Sequence, residues 1–247
     1  MPLETFIAPV HADVAALNHR FRDLSVQAVL DYYLTGPQFG TVAMVSSFGA
    51  ESVALLHMIS EIDNTLPVLF LDTELLFAET LRYQLQVADL LKLSEVRVIH
   101  PDRNAMFARD QDNSLHRRDP DACCALRKSE PLQQALATFD GWITGRKRSQ
   151  GSRRQKMQMF EHEGNSRIKL NPLAYWTAPQ IGAYISKHNL PLHPLVAGGF
   201  PSIGCQPCTT TTTNNEDPRA GRWRGNEKNE CGIHLAEPVP VPRDRAA

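Results

Sequence analysis

The sequence predicts an α/β protein with a doubly wound, mostly parallel sheet, because short apolar runs alternate with helical patterns along the chain. Strands are expected at 41–46 (TVAMVS), 67–72 (PVLFLD), 95–99 (EVRVI) and 141–145 (GWITG). Runs of this kind are typical of parallel strands covered by helices on both faces. From about residue 198 the periodicity ends, so the sheet is followed by an irregular C-terminal segment.

Helices are expected before, between and after these strands. Apolar residues at spacings of three and four predict an N-terminal amphipathic helix within 12–35. The other helices are expected at 50–62, in a stretch that ends near 91, at about 123–138, and after a capping box at Thr177 and Gln180. No repeat or domain boundary is evident, so 1–235 is expected to form one domain and 236–247 a mobile tail.

Composition and charge narrow the class of protein. The chain has 247 residues, of which 42% are hydrophobic, enough for a sizeable core. A net charge of -1 argues against a general nucleic-acid or membrane-surface binder. No apolar run approaches the length of a membrane span, and the first residues lack the order of a secretory signal. The expected compartment is the cytoplasm, and the composition leaves a homo-oligomer open.

A Ser/Gly loop, SSFGAES (46–52), lies between the first strand and its helix. A loop in this position offers backbone N–H groups and a helix N-terminus to an anion. It has neither the Walker pattern nor the spacing of a dinucleotide fingerprint. An ordinary strand-to-helix turn is an equal alternative, although such loops at the carboxyl edge of a parallel sheet usually bind ligands.

A basic loop, GRKRSQGSRRQK (145–156), follows the fourth predicted strand. A run of charges is most often a solvated surface. This one contains Gly and Ser and is expected at the same sheet edge, where arginines can bind phosphate or sulfate oxygens in a bidentate manner.

Four of the five cysteines form two close pairs, Cys123–Cys124 and the CQPC pair of Cys205 and Cys208. In a cytosolic protein such pairs indicate metal ligands rather than disulfides. Zinc and an iron–sulfur cluster both fit, with the cluster modestly favoured because adjacent thiolates can bind different irons. Two unrelated pairs in a core are the alternative. Lys128 follows on nearly the same face of a helix that the cysteine pair is expected to open.

The fifth cysteine, Cys231, stands in KNECGIHL (228–235). Lys228 and His234 flank it at three residues on either side, and either could stabilise a thiolate. A lone cysteine is more often a small buried apolar residue, but this region is polar. Arg219, Arg222 and Arg224 precede it, beside the CQPC pair.

Taken together, the CC pair, IGCQPC, GRW and ECGIHL resemble the assimilatory sulfonucleotide reductases, and within them the iron–sulfur, thioredoxin-dependent branch that acts on adenosine 5′-phosphosulfate (APS). The resemblance runs from about residue 42 to 235. It implies a fold like that of the adenine-nucleotide α-hydrolases. It also implies a 4Fe-4S cluster on Cys123, Cys124, Cys205 and Cys208.

The same resemblance implies roles for the remaining candidates. The nucleotide-binding segments are SSFGAES and LDT (71–73), which contribute Ser46, Ser47, Gly49, Glu51, Leu71, Asp72 and Thr73. The basic residues around the phosphosulfate are Lys128, Arg153, Arg219 and Arg222, with Arg154 as the alternative to Arg153. Cys231 is the implied nucleophile, with His234 and Lys128 beside it. Glu74 departs from the family pattern, in which Gly usually follows LDT.

This resemblance implies a covalent mechanism in which the Cys231 thiolate attacks the sulfate sulfur of APS, AMP leaves, and reduced thioredoxin then releases sulfite. We therefore expect an enzyme of sulfate assimilation and cysteine biosynthesis whose partners are APS and thioredoxin, without nucleic acid or membrane. A motion of the C-terminal segment from the site to the surface is a further hypothesis.

Three alternatives remain. One is a reductase for 3′-phospho-APS (PAPS), or for both substrates, although PAPS enzymes typically lack the four cluster cysteines. An ATP-pyrophosphatase-type enzyme acting on tRNA would need a different first loop. The third is a zinc-stapled nucleotide- or RNA-binding module without catalysis.

Overall fold

A mixed sheet of six strands organises the part of the chain that the computed structural model describes, which is residues 13–151, 154–164, 167–213, 215–226, 228 and 230–234. The strands are β1 (Val42–Ser46), β2 (Val68–Leu71), β3 (Val96–Ile99), β4 (Gly141–Thr144), β5 (Phe160–Glu163) and β6 (Arg167–Leu170). Their order in the sheet is β3-β2-β1-β4-β6-β5. All neighbouring pairs are parallel except β5 and β6. The predicted α/β class is thus confirmed.

Strands β5 and β6 are absent from the sequence prediction. Their sequences, FEHE and RIKL, carry charges at alternate positions and therefore do not form an apolar run. They pair antiparallel, with Glu161 opposite Lys169 and Glu163 opposite Arg167. A turn signal was present between them, since Gly164 adopts a φ of 60° and is followed in sequence by asparagine.

Helices cover both faces of the sheet. They are α1 (Val14–Arg20), α2 (Val26–Thr35), α3 (Ser52–Ser60), α4 (Ala78–Leu90), α5 (Arg103–Arg109), α6 (Leu115–Arg118), α7 (Pro120–Cys124), α8 (Glu130–Ala135), α9 (Ala178–Lys187) and α10 (Pro194–Ala197). One core cluster packs α2, α3 and α9 against the sheet, and a smaller one packs α8 beside Trp142. No helix among the described residues is long and apolar enough to cross a membrane.

Two helix predictions need correction. The helix expected within 12–35 is two helices, because the Ser25 side chain accepts from the Ala28 N–H and begins a second one; residue 12 lies outside the described part. The helix that carries the cysteine pair begins at Pro120, where Asp119 caps it, and not at Cys123. The capping box at Thr177 and Gln180 is confirmed.

The site lies at β1, where the order in which the chain adds parallel strands to the sheet changes from one side to the other. β1 has β2 on one side and β4 on the other, so the loops after these three strands meet at the carboxyl edge. This switch point is where ligands bind in open α/β sheets. The described residues between 199 and 234 have little regular structure, as predicted, and the expected tail at 236–247 lies outside the described residues.

Candidate active site

A cavity of about 410 Å³ occupies the switch point. It gathers, from segments far apart in sequence, most of the predicted substrate and catalytic residues: Ser46, Ser47, Gly49, Glu51, Leu71, Thr73, Lys128, Arg219, Arg222, Cys231 and His234. Asp72 is not among its lining residues, and its carboxylate accepts from the backbone N–H of Glu74. Arg153 lies outside the described residues, whereas the alternative Arg154 lines the cavity.

The loop after β1 turns tightly at the cavity wall. Phe48 has a φ of 45°, its N–H donates to the Ser46 hydroxyl, and the Gly49 N–H donates to the Ser52 hydroxyl. Helix α3 begins at Ser52, and its N-cap residue, Glu51, makes no side-chain capping bond. In the first turn of α3, the N–H groups of Ser52 and Ala54 donate to the carbonyls of Gly49 and Glu51, so the loop and the helix start are joined by backbone hydrogen bonds.

Glu51 instead forms an ion pair across the cavity with Lys147, whose Nζ lies 2.6 Å from its carboxylate. Lys147 follows β4 in the basic loop and is almost fully buried. Burial lowers the pKa of Lys147, and the nearby Glu51 carboxylate offsets part of that decrease. The pair joins the loops after β1 and β4, so each fixes the position of the other.

The segment after β2 contributes Leu71 and Thr73. Thr73 is fully buried, and its hydroxyl lies 3.2 Å from the sulfur of Cys205. The next residue, Glu74, has a φ of 61°, in the left-handed region that glycine tolerates best. This backbone conformation gives a physical reason for the glycine that is usual at the position.

Three arginines supply positive charge from the opposite side of the cavity. Arg222 donates to the Ile203 carbonyl and packs on the Trp223 ring, 4.5 Å from its centroid. Its buried Nε has no hydrogen-bond partner among the described atoms. Burial lowers the pKa of Arg219 to about 10. Arg154 binds Glu230 through two hydrogen bonds of 2.5 and 2.6 Å.

Glu230 connects this arginine cluster to the candidate nucleophile. It is buried, and in addition to binding Arg154 it accepts from the backbone N–H of Cys231 at 3.0 Å. Two arginines, with Arg219 3.9 Å from the same carboxylate, therefore fix the residue immediately before Cys231. Sequence reasoning missed Glu230, although it stands in the quoted ECGIHL motif.

The four paired cysteines line a second, smaller cavity. Cys123 and Cys124 reach it from α7, and Cys205 and Cys208 from the CQPC segment. Three are buried and Cys208 is partly buried. Soft thiolates from two segments are the donor set of an iron–sulfur cluster. Within the described ranges, no three His, Cys, Asp or Glu side chains form a group that could hold one metal ion.

Lys128 lines both cavities. A widened helical turn, Ala125–Ser129, follows the cysteine pair and continues into α8. Arg127, which precedes Lys128 in this turn, is buried and donates to Asp110 at 2.6 Å and to the Thr73 carbonyl at 2.8 Å. This anchor fixes the turn that carries Lys128, so an ammonium group stands between the cysteine cavity and the cavity that contains Cys231.

The Cys231 segment ends in a short turn, Gly232–His234. The His234 imidazole stacks on Trp142 with an interplanar angle of 6°, and its Nδ1 lies 3.4 Å from the Nζ of Lys169. The sequence prediction contained neither Trp142 nor Lys169 as a site residue. The position of Lys169 between two apolar residues in RIKL was a signal that this lysine is buried, but strand β6 itself was not predicted.

Comparison with known proteins agrees with this geometry. Residues 41–211 match the family described as phosphoadenosine phosphosulfate reductase domain. Over 232 residues the chain is 46% identical to an adenosine 5′-phosphosulfate reductase of Chelativorans sp., covering 92% of this chain and 94% of the relative. It is 38% identical to a phosphoadenosine 5′-phosphosulfate reductase of Gloeobacter violaceus, with coverage of 90% and 95%. A phosphate complex of the PAPS reductase from Candida auris superposes with a TM-score of 0.68 at 28% identity, covering 81% of this chain and 96% of that one.

Proposed function

This chain belongs to the phosphoadenosine phosphosulfate reductase domain family, and we propose that it reduces APS to sulfite and AMP in sulfate assimilation. The observation that carries the proposal is one cavity at the switch point of the sheet, where Cys231 lies with Lys128, Arg219 and Arg222 beside the loop that follows β1. The relatives named APS reductase support APS as the substrate, and the enzyme is an oxidoreductase acting on a sulfonucleotide.

The reaction begins at Cys231. Its thiolate forms a bond to the sulfate sulfur of APS, the bond from that sulfur to the bridging oxygen breaks, and AMP leaves with the electron pair. The product is an S-sulfocysteine. Because both partners are anions, their approach requires positive charge, and Lys128, Arg219 and Arg222 line the same cavity as Cys231.

Thiols supply the two electrons in the second half-reaction. A thioredoxin thiolate attacks the sulfur of Cys231, and sulfite leaves with the electron pair of the sulfur–sulfur bond. The second thioredoxin thiol then resolves the mixed disulfide and restores the Cys231 thiolate. A thiol-dependent cycle suits the cytoplasm, where we place the enzyme, and the five cysteines are free.

Cys123, Cys124, Cys205 and Cys208 would hold the 4Fe-4S cluster. Two observations support the fit: the four thiols line one cavity, and they come from two segments that Thr73 and Arg127 connect. When bound, the cluster would supply an electrostatic field beside the substrate cavity rather than electrons. Lys128 lines both cavities, so its ammonium group adds positive charge to each of them.

Two variants test these assignments together. After anaerobic purification, we expect about four irons and four sulfides per chain, the content of a cubane cluster. Cys231→Ser should retain that iron and lose thioredoxin-dependent sulfite release from APS, whereas Cys208→Ser should lose iron. A Cys231→Ser protein that still forms sulfite, or a colourless wild type that binds zinc after attempted reconstitution, contradicts the proposal.

The relative from Gloeobacter violaceus makes PAPS the competing substrate. Measuring kcat/KM for both nucleotides with the same thioredoxin decides between an APS enzyme, a PAPS enzyme and one that uses both. We expect APS to be preferred. An equal or higher kcat/KM for PAPS would overturn that part of the proposal and leave the thiol chemistry intact.

A further inference from the structure

Trp142 and Lys169 occupy directly paired positions on β4 and β6. In adjacent parallel strands such partners project to the same face of the sheet. The exposed fraction is 0% for Trp142 and 5% for Lys169, and the Nζ of Lys169 lies 4.3 Å from the centroid of the indole. An ammonium at this distance over an aromatic face is attracted by the ring quadrupole.

Other contacts fix the orientation of this pair. The indole Nε1 of Trp142 donates to Glu163 at 2.7 Å, and Arg167 holds the same carboxylate at 3.4 Å. Both partners belong to the hairpin of β5 and β6, so the indole cannot rotate without breaking a bond to the sheet. The Trp142–Lys169 pair is therefore part of the sheet and does not depend on the Cys231 segment.

His234 docks on this pair at the end of the Cys231 segment. Its ring is parallel to the indole with centroids 6.0 Å apart, and its Nδ1 lies 3.4 Å from the Nζ of Lys169. Ile233 packs against the same cluster of apolar side chains as Trp142. The turn that follows Cys231 thus meets a prepared surface of the sheet.

We propose that Lys169 and Trp142 are positioning residues that hold His234 as a neutral imidazole with its proton on Nε2, and thereby fix the turn that carries Cys231. An ammonium group has donors only, so the Nδ1 that faces it must accept. A neutral imidazole that accepts at Nδ1 carries its hydrogen on Nε2. His234 then meets an anionic substrate as a hydrogen-bond donor, and its Nδ1 is not available to take the proton of Cys231.

The surrounding charges agree with this protonation state. Burial lowers the pKa of His234 well below its usual value, and positive groups from three other segments, Lys169, Arg146, Arg154 and Arg219, lower it further. Lys169 in turn faces two arginines, Arg146 and Arg154, and two carboxylates, Glu161 and Glu163; burial is the largest effect and lowers its pKa to about 7. An imidazolium at this position would add to an already positive cluster.

Imidazole ¹⁵N spectra of the full-length enzyme, recorded without nucleotide, test the proposal directly. The His234 signals are identified by their loss in His234→Gln. In the wild type at pH 6, where Lys169 carries its proton, we expect a protonated Nε2 and an Nδ1 shifted as a hydrogen-bond acceptor. In Lys169→Met, Nδ1 should move to the position of a free nitrogen, and Lys169→Arg should restore the shift. Lys187→Met, which removes an exposed lysine on α9, is the matched control.

Turnover gives a second readout, and this part rests on the proposed function. Lys169→Met should lower kcat for sulfite formation about tenfold, the effect of one lost hydrogen bond to a charged group, while KM for APS changes little. Lys169→Arg should recover most of it. An Nδ1–H tautomer or an imidazolium in the wild type, or a His234 spectrum unchanged in Lys169→Met, would overturn the inference. The spectra require no substrate. Failure to reduce APS would therefore contradict the proposed function, while the spectra would still test the protonation state of His234.

Discussion

In the sheet-edge half of the cavity, residues 46–52 and 71–73 directly continue two strands of the sheet, whereas in the C-terminal half the residues around Cys231 depend on side chains that reach them from elsewhere. The first half continues strands β1 and β2, whose ladder pairs Ser46 with Phe70. The second half is held by the Arg154–Glu230 pair, by the approach of Gly204 to Arg222, and by His234 on the sheet. A single substitution in the C-terminal half should therefore lower activity far more than a single substitution in the sheet-edge half.

The largest effect is expected from breaking the Arg154–Glu230 pair. Arg154→Met leaves the Glu230 carboxylate buried without its bidentate partner, which costs about 3 kcal/mol in comparable buried pairs. If that energy holds Cys231 in place, kcat/KM for APS falls by about a hundredfold. Arg148→Met is the control, because Arg148 packs on Tyr175 outside the cavity. A loss below fivefold in Arg154→Met would show that the C-terminal half does not depend on this pair.

A smaller effect is expected when a methyl group is added to Gly204. A Cβ at this position would lie 2.2 Å from the guanidinium of Arg222, so the arginine must move. We expect KM for APS to rise about tenfold in Gly204→Ala, as for the loss of one charge-assisted hydrogen bond. Gly182→Ala on α9 meets no atom within 4 Å and should leave KM unchanged. Equal KM values in the two variants would remove Arg222 from the binding site.

The sheet-edge half should tolerate a comparable loss better. Ser52→Ala removes the hydroxyl that accepts from the Gly49 N–H at 2.9 Å. The loop retains its continuation from β1, so we expect kcat/KM to fall about fivefold, the equivalent of about 1 kcal/mol. Iron content should not change. A fall as large as that of Arg154→Met would show that the loop, too, is held by its side chains.

Mild acid should weaken the helical cover of the sheet. His193 is buried, accepts from the Leu195 N–H and contacts Thr80 on α4, and burial lowers its pKa to about 4. The unfolded chain binds this proton at a pKa of about 6.5, so stability decreases as the pH falls from 6.5 toward 4. Differential scanning calorimetry should show Tm falling by a few degrees more between pH 7 and pH 5 in the wild type than in His193→Gln. Equal changes of Tm with pH in the two proteins would show that His193 does not cause the loss of stability in acid.

Much of the sheet-edge half could be predicted from the sequence. Strands β1, β2, β3 and β4 were read from apolar runs, and the loops after β1, β2 and β4 were read as the site from their positions. β5 and β6 were missed because one face of each presents charges, such as Glu161 and Lys169, to the polar cluster beside the cavity. Periodicity detects burial among apolar side chains and cannot detect burial among paired charges.

The C-terminal half could be predicted only as a set of residue types. The cysteine pattern and the arginines before Cys231 indicated its chemistry, and the family resemblance assigned the roles. Nothing in the local sequence says that Arg154 reaches Glu230, since 76 positions separate them. Likewise, the partners of His234 stand on strands far back in the chain. Such contacts follow from tertiary structure, which local patterns do not contain.

The separation of the two cysteine pairs along the chain also sets an order of assembly during synthesis. Cys123 and Cys124 leave the ribosome with the strands and helices that form the centre of the sheet, while Cys205 and Cys208 follow only after β6 and α9. Until then, Cys123 and Cys124 line a cavity that still lacks Cys205 and Cys208. A nascent chain that stalls near residue 198 could complete its six strands and still lack Cys205, Cys208 and Cys231, so the last segment to be translated supplies three of the five cysteines.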